Sequence, residues 1–312
     1  MKFDSLPTML LSLVVTVLMA LSSSLVAAES VRVAVLYPST TNSLFSHVFD
    51  EIVDGIKLNS ELDVMLYTLT DGDDIESIKK RFKHDEIEAV IAIGERNYPI
   101  GKALREYYPV VHGGVMIEPN GHSGISLVTD PEQFFSQLKR LAPSVKRVYT
   151  VYSESSNGWL IRMAKEVADK YDIELNAFEA ESLREGMYKL RQLLHEVNDG
   201  QDAVWLLLDK MMPDKAALPV VLAKAWDSHI VIFSNNPSHA RRGALFALFP
   251  DNSGTGESLG KLVLRQRQTN GVPLVLPAKD LKVSVNERTA SHLGINFSQR
   301  QRMEFDLIYP VQ

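Results

Sequence analysis

Apolar runs and polar loops alternate along most of the chain. The runs are Val31–Tyr37, Leu62–Tyr67, Ala89–Ile93, Arg147–Tyr152, Ala203–Leu208, Ile230–Phe233 and Ala244–Phe249, each of strand length. Most break off into small polar loops, among them Pro38-Ser39-Thr40-Thr41-Asn42, Gly94-Glu95-Arg96-Asn97, Ser153-Glu154-Ser155-Ser156-Asn157 and Ser234-Asn235-Asn236. Helix-patterned segments follow. Asn42–Leu58 sets Leu44, Phe45, Val48, Phe49, Ile52, Val53 and Ile56 on one face, and Asp73–His84 does the same with Ile75, Ile78 and Phe82. A helix over Tyr98–Tyr107 leads to a fourth strand at Val110-Val111. Apolar strands alternating with helices predict parallel sheets covered on both faces. Such sheets take ligands outside the carboxyl ends of their strands, so the recurring polar loops are the place to look for function.

Glu118–Gly124 is dense in turn formers and carries no period, and Ile125–Val128 is a short extended piece. Asp130-Pro131 then opens a helix, with proline in its favoured first turn. The pattern repeats beyond it: strand Arg147–Tyr152, helix Asn157–Tyr171, strand Ile173–Phe178, helix Arg184–Val197, strand Ala203–Leu208 and helix Pro213–Trp226. The strands Ile230–Phe233 and Ala244–Phe249 and the helix Gly256–Gln268 follow, the last ended by Asn270-Gly271. The expected fold is therefore α/β, with two Rossmann-like lobes, parallel sheets and a hinge. Residues 29–124 with 250–272 make the first lobe; residues 125–249 with part of 273–312 make the second. A cleft between two such lobes is a common ligand site.

The first residues read as a targeting segment. Met1-Lys2 precedes an apolar stretch from Met9 to Met19, and Val26-Ala27-Ala28 supplies small residues for a signal peptidase. Cleavage after Ala28 is expected, against the alternative of a retained anchor. The chain has 312 residues and no cysteine, which removes disulfides, thiolate metal sites and a lipid-bearing cysteine after the signal. The expected mature protein is periplasmic and not lipidated. Its 45% apolar and 23% charged residues are ordinary for a globular chain. A net charge of −6 without a long basic run argues against nucleic acid as partner.

Three blocks carry a family likeness. They are Val33-Ala34-Val35-Leu36-Tyr37 with its loop, Leu138-Lys139-Arg140-Leu141-Ala142-Pro143-Ser144-Val145-Lys146-Arg147-Val148, and the closing Val283-Ser284-Val285-Asn286-Glu287-Arg288-Thr289-Ala290-Ser291-His292-Leu293-Gly294-Ile295. Together they resemble the ABC-transporter substrate-binding family of the type I periplasmic-binding-protein fold, some of whose members are linked to aromatic amino acid uptake. The resemblance implies a periplasmic solute-binding protein that closes around a small polar ligand, an amino acid or similar. Its partner would be the membrane permease of an ABC importer. Two departures keep a second reading open. Many exported relatives carry a lipid-accepting cysteine, and Gly94-Glu95-Arg96-Asn97 stands where smaller residues such as Thr-Pro-Ala are expected. The alternative is a sensory adaptor of the same fold that regulates a membrane sensor kinase or cyclase.

The candidate ligand residues lie in the polar loops. Ser39, Thr40, Thr41 and Asn42 start a helix after the first strand, where free N–H groups suit a carboxylate; helix capping alone is the other account. Gly94, Glu95 and Arg96 follow the third strand, and Arg96 either clamps a carboxylate or is a solvated loop residue. Asp209 closes the run Trp205–Leu208 and either receives a ligand amine or caps the next helix. Ser153 and Asn157 repeat the first-loop chemistry, and Asn235 and Asn236 donate and accept or shape a turn. Phe45, Tyr152 and Trp159 stack on an aromatic ligand or pack the core.

Motifs for covalent chemistry fail on spacing. Gly121-His122-Ser123-Gly124-Ile125 brings its second glycine one residue early for a nucleophile elbow. Gly254-Thr255-Gly256-Glu257-Ser258-Leu259-Gly260 ends one residue late for a dinucleotide fingerprint. Asp71-Gly72-Asp73-Asp74 lacks the rest of a calcium loop. Arg241-Arg242 and the Arg265/Arg267 pair read as solvated faces. An exported enzyme is thereby disfavoured, and neither cofactor nor metal is expected.

Overall fold

The computed structural model describes residues 30–38, 43–70, 72–197, 200–209, 211–269 and 271–310. The expected leader 1–28, the candidates Ser39, Thr40, Thr41 and Asn42, the Phe45 side chain, Asp71 and Asn270 lie outside the described residues. Two sheets organise the rest. The first is built from β1 (Val31–Tyr37), β2 (Leu62–Thr68), β3 (Ala89–Ile93), β4 (Val110–Val115), β5 (Gly124–Thr129) and, from far along the chain, β11 (Val275–Ala278). Its order is β11-β5-β4-β3-β1-β2, and every pairing is parallel. Helices α1 (Ser43–Lys57), α2 (Ile75–His84) and α3 (Tyr98–Leu104) connect its early strands.

The second sheet holds β6 (Arg147–Tyr152), β7 (Glu174–Glu179), β8 (Asp202–Leu206), β9 (Val231–Ser234), β10 (Phe246–Pro250), β12 (Leu281–Asn286) and β13 (Leu307–Tyr309). Its order is β13-β12-β10-β9-β8-β6-β7, and β12 runs antiparallel to β10. Helices α4 (Pro131–Leu141), α5 (Glu154–Ala168), α6 (Leu183–Glu196), α7 (Asp214–Ser228) and α8 (Pro237–Arg242) belong with it. Helix α9 (Asn252–Gln268) returns to the first sheet, placing Leu259, Leu262 and Val263 against Val33, Ile91 and Val111. Helices α10 (Glu287–His292) and α11 (Gln299–Met303) flank β12 and β13.

The expectation of an α/β fold with two parallel-sheet lobes therefore matches the architecture. The strand pairing differs from the expected division in one place. The sequence pattern places residues 125–129 in the second lobe, but β5 pairs with β4 and β11 in the first sheet. Glu118–Gly124 suggests a boundary because it is dense in turn formers and carries no period, and the stretch 116–123 is short for a link between parallel neighbours, which normally takes a dozen or more residues. It is the connection between β4 and β5, and the chain leaves the first sheet only after Thr129.

Helix starts shift for identifiable reasons. Helix α5 begins at Glu154, three residues before the Asn157 start that the pattern suggested, with Ser153 as its N-cap. Helix α9 begins at Asn252 and runs through Gly254 and Gly256, poor helix formers that packing requires. A Cβ on Gly256 would meet the Ile52 carbonyl oxygen at 2.0 Å, and one on Gly55 would meet the Ser253 oxygen at 1.9 Å. Gly256 and Gly55 thus form the close contact of α9 on α1, while Gly254 faces Asp280.

The second lobe packs around Trp205, which is fully buried. Its indole lies 5.0 Å from the Phe134 ring and stacks on Phe233 at 5.7 Å, and Phe233 stacks on Phe246 at 5.3 Å. Helix and strand thereby share one aromatic core, which holds the loop ends at the carboxyl edge of the sheet in place.

Candidate functional site

The chain crosses between the sheets at Thr129–Asp130, at Pro250–Asp251 and between β11 and β12. β5, β10 and β11 all reach their crossing at a carboxyl end, and β12 starts beside the end of β10, with Leu281 opposite Pro250. The two carboxyl edges therefore adjoin. The crossing strands are tied together: Asp130 N–H donates to the Ala278 carbonyl at 3.0 Å and Asp251 N–H to that of Asp280 at 2.9 Å. Lys279 reaches Asp130 and Lys282 reaches Asp251, each at 3.3 Å. Such short paired segments suit a hinge.

On the second sheet, β9, β8 and β6 are neighbours, so the loops after them converge. Asp209, which follows β8, is the centre. Its Oδ2 accepts from the Ser153 N–H at 2.7 Å, from Ser153 Oγ at 2.9 Å and from Asn157 Nδ2 at 2.9 Å. Its Oδ1 accepts from Ser153 Oγ at 3.0 Å and from the Met211 N–H at 2.9 Å. The predicted residues Ser153, Asn157 and Asp209 are brought together, and both Asp209 oxygens are occupied by donors from their own lobe. Because its hydroxyl serves Asp209, Ser153 makes no side-chain cap bond to α5. The first N–H groups of a helix have no intrahelical partner, and those of α5 start at this edge.

Asn235 follows the neighbouring strand β9. Its side-chain oxygen is sealed from solvent and finds no donor among the described residues. Asn236, beside it, is fully employed: Oδ1 accepts from the Ser238 N–H at 3.0 Å and Nδ2 donates to Asp214 at 3.3 Å. The Tyr152 ring is buried in the aromatic core of this lobe, while Trp159 is half-buried against that core. Core packing is the account the geometry supports for Tyr152, whose phenol is pushed up chiefly by burial.

On the first sheet, Gly94 turns the chain after β3 with φ +82, a left-handed conformation suited to glycine. Its N–H donates to Gly113 at 2.9 Å, and a Cβ would lie 3.3 Å from Phe49. Glu95 and Arg96 stand exposed beyond it. Asn97, which the sequence reading passed over, is the buried member of this loop. Its Nδ2 donates to the carbonyls of Leu36 and Ile93 at 2.9 and 3.1 Å, tying the ends of β1 and β3 together. An asparagine closing a glycine-led loop was the available signal. Tyr37 and Phe49 add an aromatic pair at this edge, 6.4 Å apart and edge to face. The Tyr37 hydroxyl donates to Asp50 at 2.7 Å; burial first, then that carboxylate, pushes the phenol up to about 12.

An ion pair joins the lobes away from the crossings. Arg162 of α5 lies 3.6 Å from Glu118, just past the carboxyl end of β4, and also pairs with Glu154. Among the described residues no group of three or more His, Asp or Glu side chains is placed to hold a metal ion. No helix there is long and apolar enough to cross a membrane.

Residues 51–304 match the family described as ABC transporter substrate binding protein, and the chain belongs to that family. Solved structures agree on the fold. A ligand-free, open substrate-binding protein with adhesive properties from Clostridium difficile superposes with a TM-score of 0.60 at 16% identity, covering 90% of this chain and 99% of that one. The ABC domain from Streptococcus pneumonia in complex with L-Trp gives 0.52 at 18% identity, covering 90% and 100%. A conserved domain protein from Vibrio cholerae gives 0.51 at 19% identity, with the same coverage. No curated protein matches the sequence. The architecture is that of the type I periplasmic-binding proteins.

Proposed function

We propose that the chain captures an amino acid or similar small zwitterion between its lobes and presents it to the membrane permease of an ABC importer. The observation that carries the ligand class is the Asn235 oxygen, a buried acceptor without a donor. Leaving such an atom unmet costs about 1–3 kcal/mol, and a ligand ammonium would meet it. The opposite charge of a zwitterion is served by the free N–H groups at the start of α5, and by Arg96 from the other lobe when the hinge closes. Asp209 acts here through position: it anchors Ser153 and Asn157 and so aims the start of α5. Family membership and the L-Trp held by the streptococcal protein favour the same class. In this reading the leader 1–28 is removed and the mature chain works outside the cytoplasmic membrane.

Thermal unfolding against a panel of L-amino acids tests the proposal. A ligand at about a hundred times its dissociation constant adds roughly 2.7 kcal/mol of stability. We expect a shift with at least one amino acid, lost in Asn235→Leu. Silence across the panel overturns the ligand class. A second reading, a sensory adaptor for a membrane kinase or cyclase, is favoured by the exposed Glu95–Arg96 pair at the rim of the first sheet. It is selected if the panel is silent and the protein binds the periplasmic part of a sensor encoded beside it.

A further inference from the structure

A cavity lies at the other end of the second lobe. Asn286, at the end of β12, bonds through its N–H to the Leu245 carbonyl at 2.9 Å, next to the amino end of β10. Because β10 runs toward the crossings, this is the pole away from them. A cavity of about 430 Å³ opens there, lined among others by Leu222, Trp226, Arg241, Arg242, Arg288 and Pro310.

Two remote pieces of sequence build it. The Asn286 amide donates to the Ala240 carbonyl at 2.8 Å, its oxygen accepts from the Thr289 N–H at 2.9 Å, and Thr289 Oγ1 donates to the Gly243 carbonyl at 2.9 Å. This clasp sets the end of α8, with Arg241 and Arg242, beside the start of α10, with Arg288. The three guanidinium groups have no acidic partner among the described residues. Glu287, adjacent to Arg288, is already held by Arg302 at 2.7 Å. Arg288 lies 5.5 Å from the Trp226 ring centre, and His292 stacks on that ring at 3.7 Å. The indole is thus fixed while 41% exposed.

Three cations gathered on one cavity of a chain with net charge −6, with no acidic side chain paired to them among the described residues, give a local positive potential. Guanidinium forks match the oxygens of carboxylate and phosphate, while Leu222, Trp226 and Pro310 offer an apolar floor. The volume falls in the range of small-molecule sites. We propose that this pocket binds a small organic oxyanion with an apolar or aromatic body, independently of the ligand between the lobes.

The test uses the full chain with two probes, phenyl phosphate and isophthalate, followed by calorimetry and tryptophan fluorescence, with benzyl alcohol as neutral control. We expect saturable binding of at least one oxyanion and none of the alcohol. Binding should weaken at least tenfold in R241Q/R288Q, whose melting temperature should match that of the parent. The fluorescence change should vanish in Trp226→Phe, while Asn235→Leu should bind the probe as the parent does. A preference for phenyl phosphate assigns a phosphate monoester, and a preference for isophthalate a carboxylate. Absence of saturable binding, or binding unaltered in R241Q/R288Q, overturns the proposal. So does capture of a glutamate-rich peptide with neither small probe, which would mark a protein-docking surface.

Discussion

Asp209 holds Ser153 twice over, accepting from its backbone N–H at 2.7 Å and from its hydroxyl at 2.9 Å. Residues 56 positions apart are thereby locked at adjacent strand ends, and the start of α5 takes its direction from the lock. Asp209→Ala removes the acceptor of four groups: the Ser153 N–H and hydroxyl, the Met211 N–H and the Asn157 amide. The expected loss is about 1–3 kcal/mol of stability, read from urea unfolding, together with loss of the amino acid response. Asp209→Asn keeps one acceptor oxygen and should lose less.

The crossing of α1 and α9 depends on missing side chains. A Cβ at Gly256 would sit 2.0 Å from the Ile52 oxygen, a backbone atom that cannot yield, whereas one at Gly260 would meet the end of Leu62 at 3.2 Å and Asn59 at an ordinary 3.6 Å. Gly256→Ala should destabilise by about 1–3 kcal/mol through overpacking. Gly260→Ala should be near neutral. Equal melting temperatures for the two variants would contradict this account.

His112 confers a pH dependence on the first lobe. It is buried on β4, neither ring nitrogen has a partner among the described residues, and Tyr98 and His122 lie against it. Burial first, then the nearby His122 and Lys102, lower its imidazole from 6.5 to about 4. Between these values the unfolded chain binds the proton and the folded chain does not. Stability is therefore fully present above about 6.5, falls as pH drops, and stops falling below about 4. The span is about 3 kcal/mol. Urea midpoints measured from pH 4 to 7 should slope less in His112→Leu than in the parent.

The Arg162–Glu118 pair is half-exposed on both sides, so its net contribution to stability is at most about 1 kcal/mol. Glu118→Gln should leave the melting temperature nearly unchanged. Its effect should appear in the spread of the ligand-free lobes, as a larger radius of gyration by small-angle scattering. An unchanged radius would show that the pair does not restrain the hinge.

Much of the candidate site was legible because strand ends are legible. Ser153, Asn157, Asp209 and Asn235 follow apolar runs, and their loops converge because β6, β8 and β9 are neighbours. What each side chain does was not legible. Asp209 reads in the sequence either as a lone acid that receives an amine or as a cap of the next helix; in the fold, donors from Ser153, Asn157 and Met211 occupy it. Asn235 reads either as a donor and acceptor for a ligand or as a turn former, and its oxygen is left unmet. Arg241 and Arg242 read as a solvated face and are exposed, but that the fold sets Arg288 beside them was not legible.

The sequence by itself determined the two-lobed α/β architecture, because strand and helix periods are local and parallel sheets write themselves as apolar runs broken by polar loops. Only the tertiary structure decided where the chain crosses between the sheets, which helix needs glycine and which polar group is satisfied. Those outcomes depend on partners distant in the chain: β11 completing the first sheet beside β5, Ile52 facing Gly256, Ser153 meeting Asp209. A hydrogen bond or a steric contact belongs to two positions at once, and neither position carries the other's address.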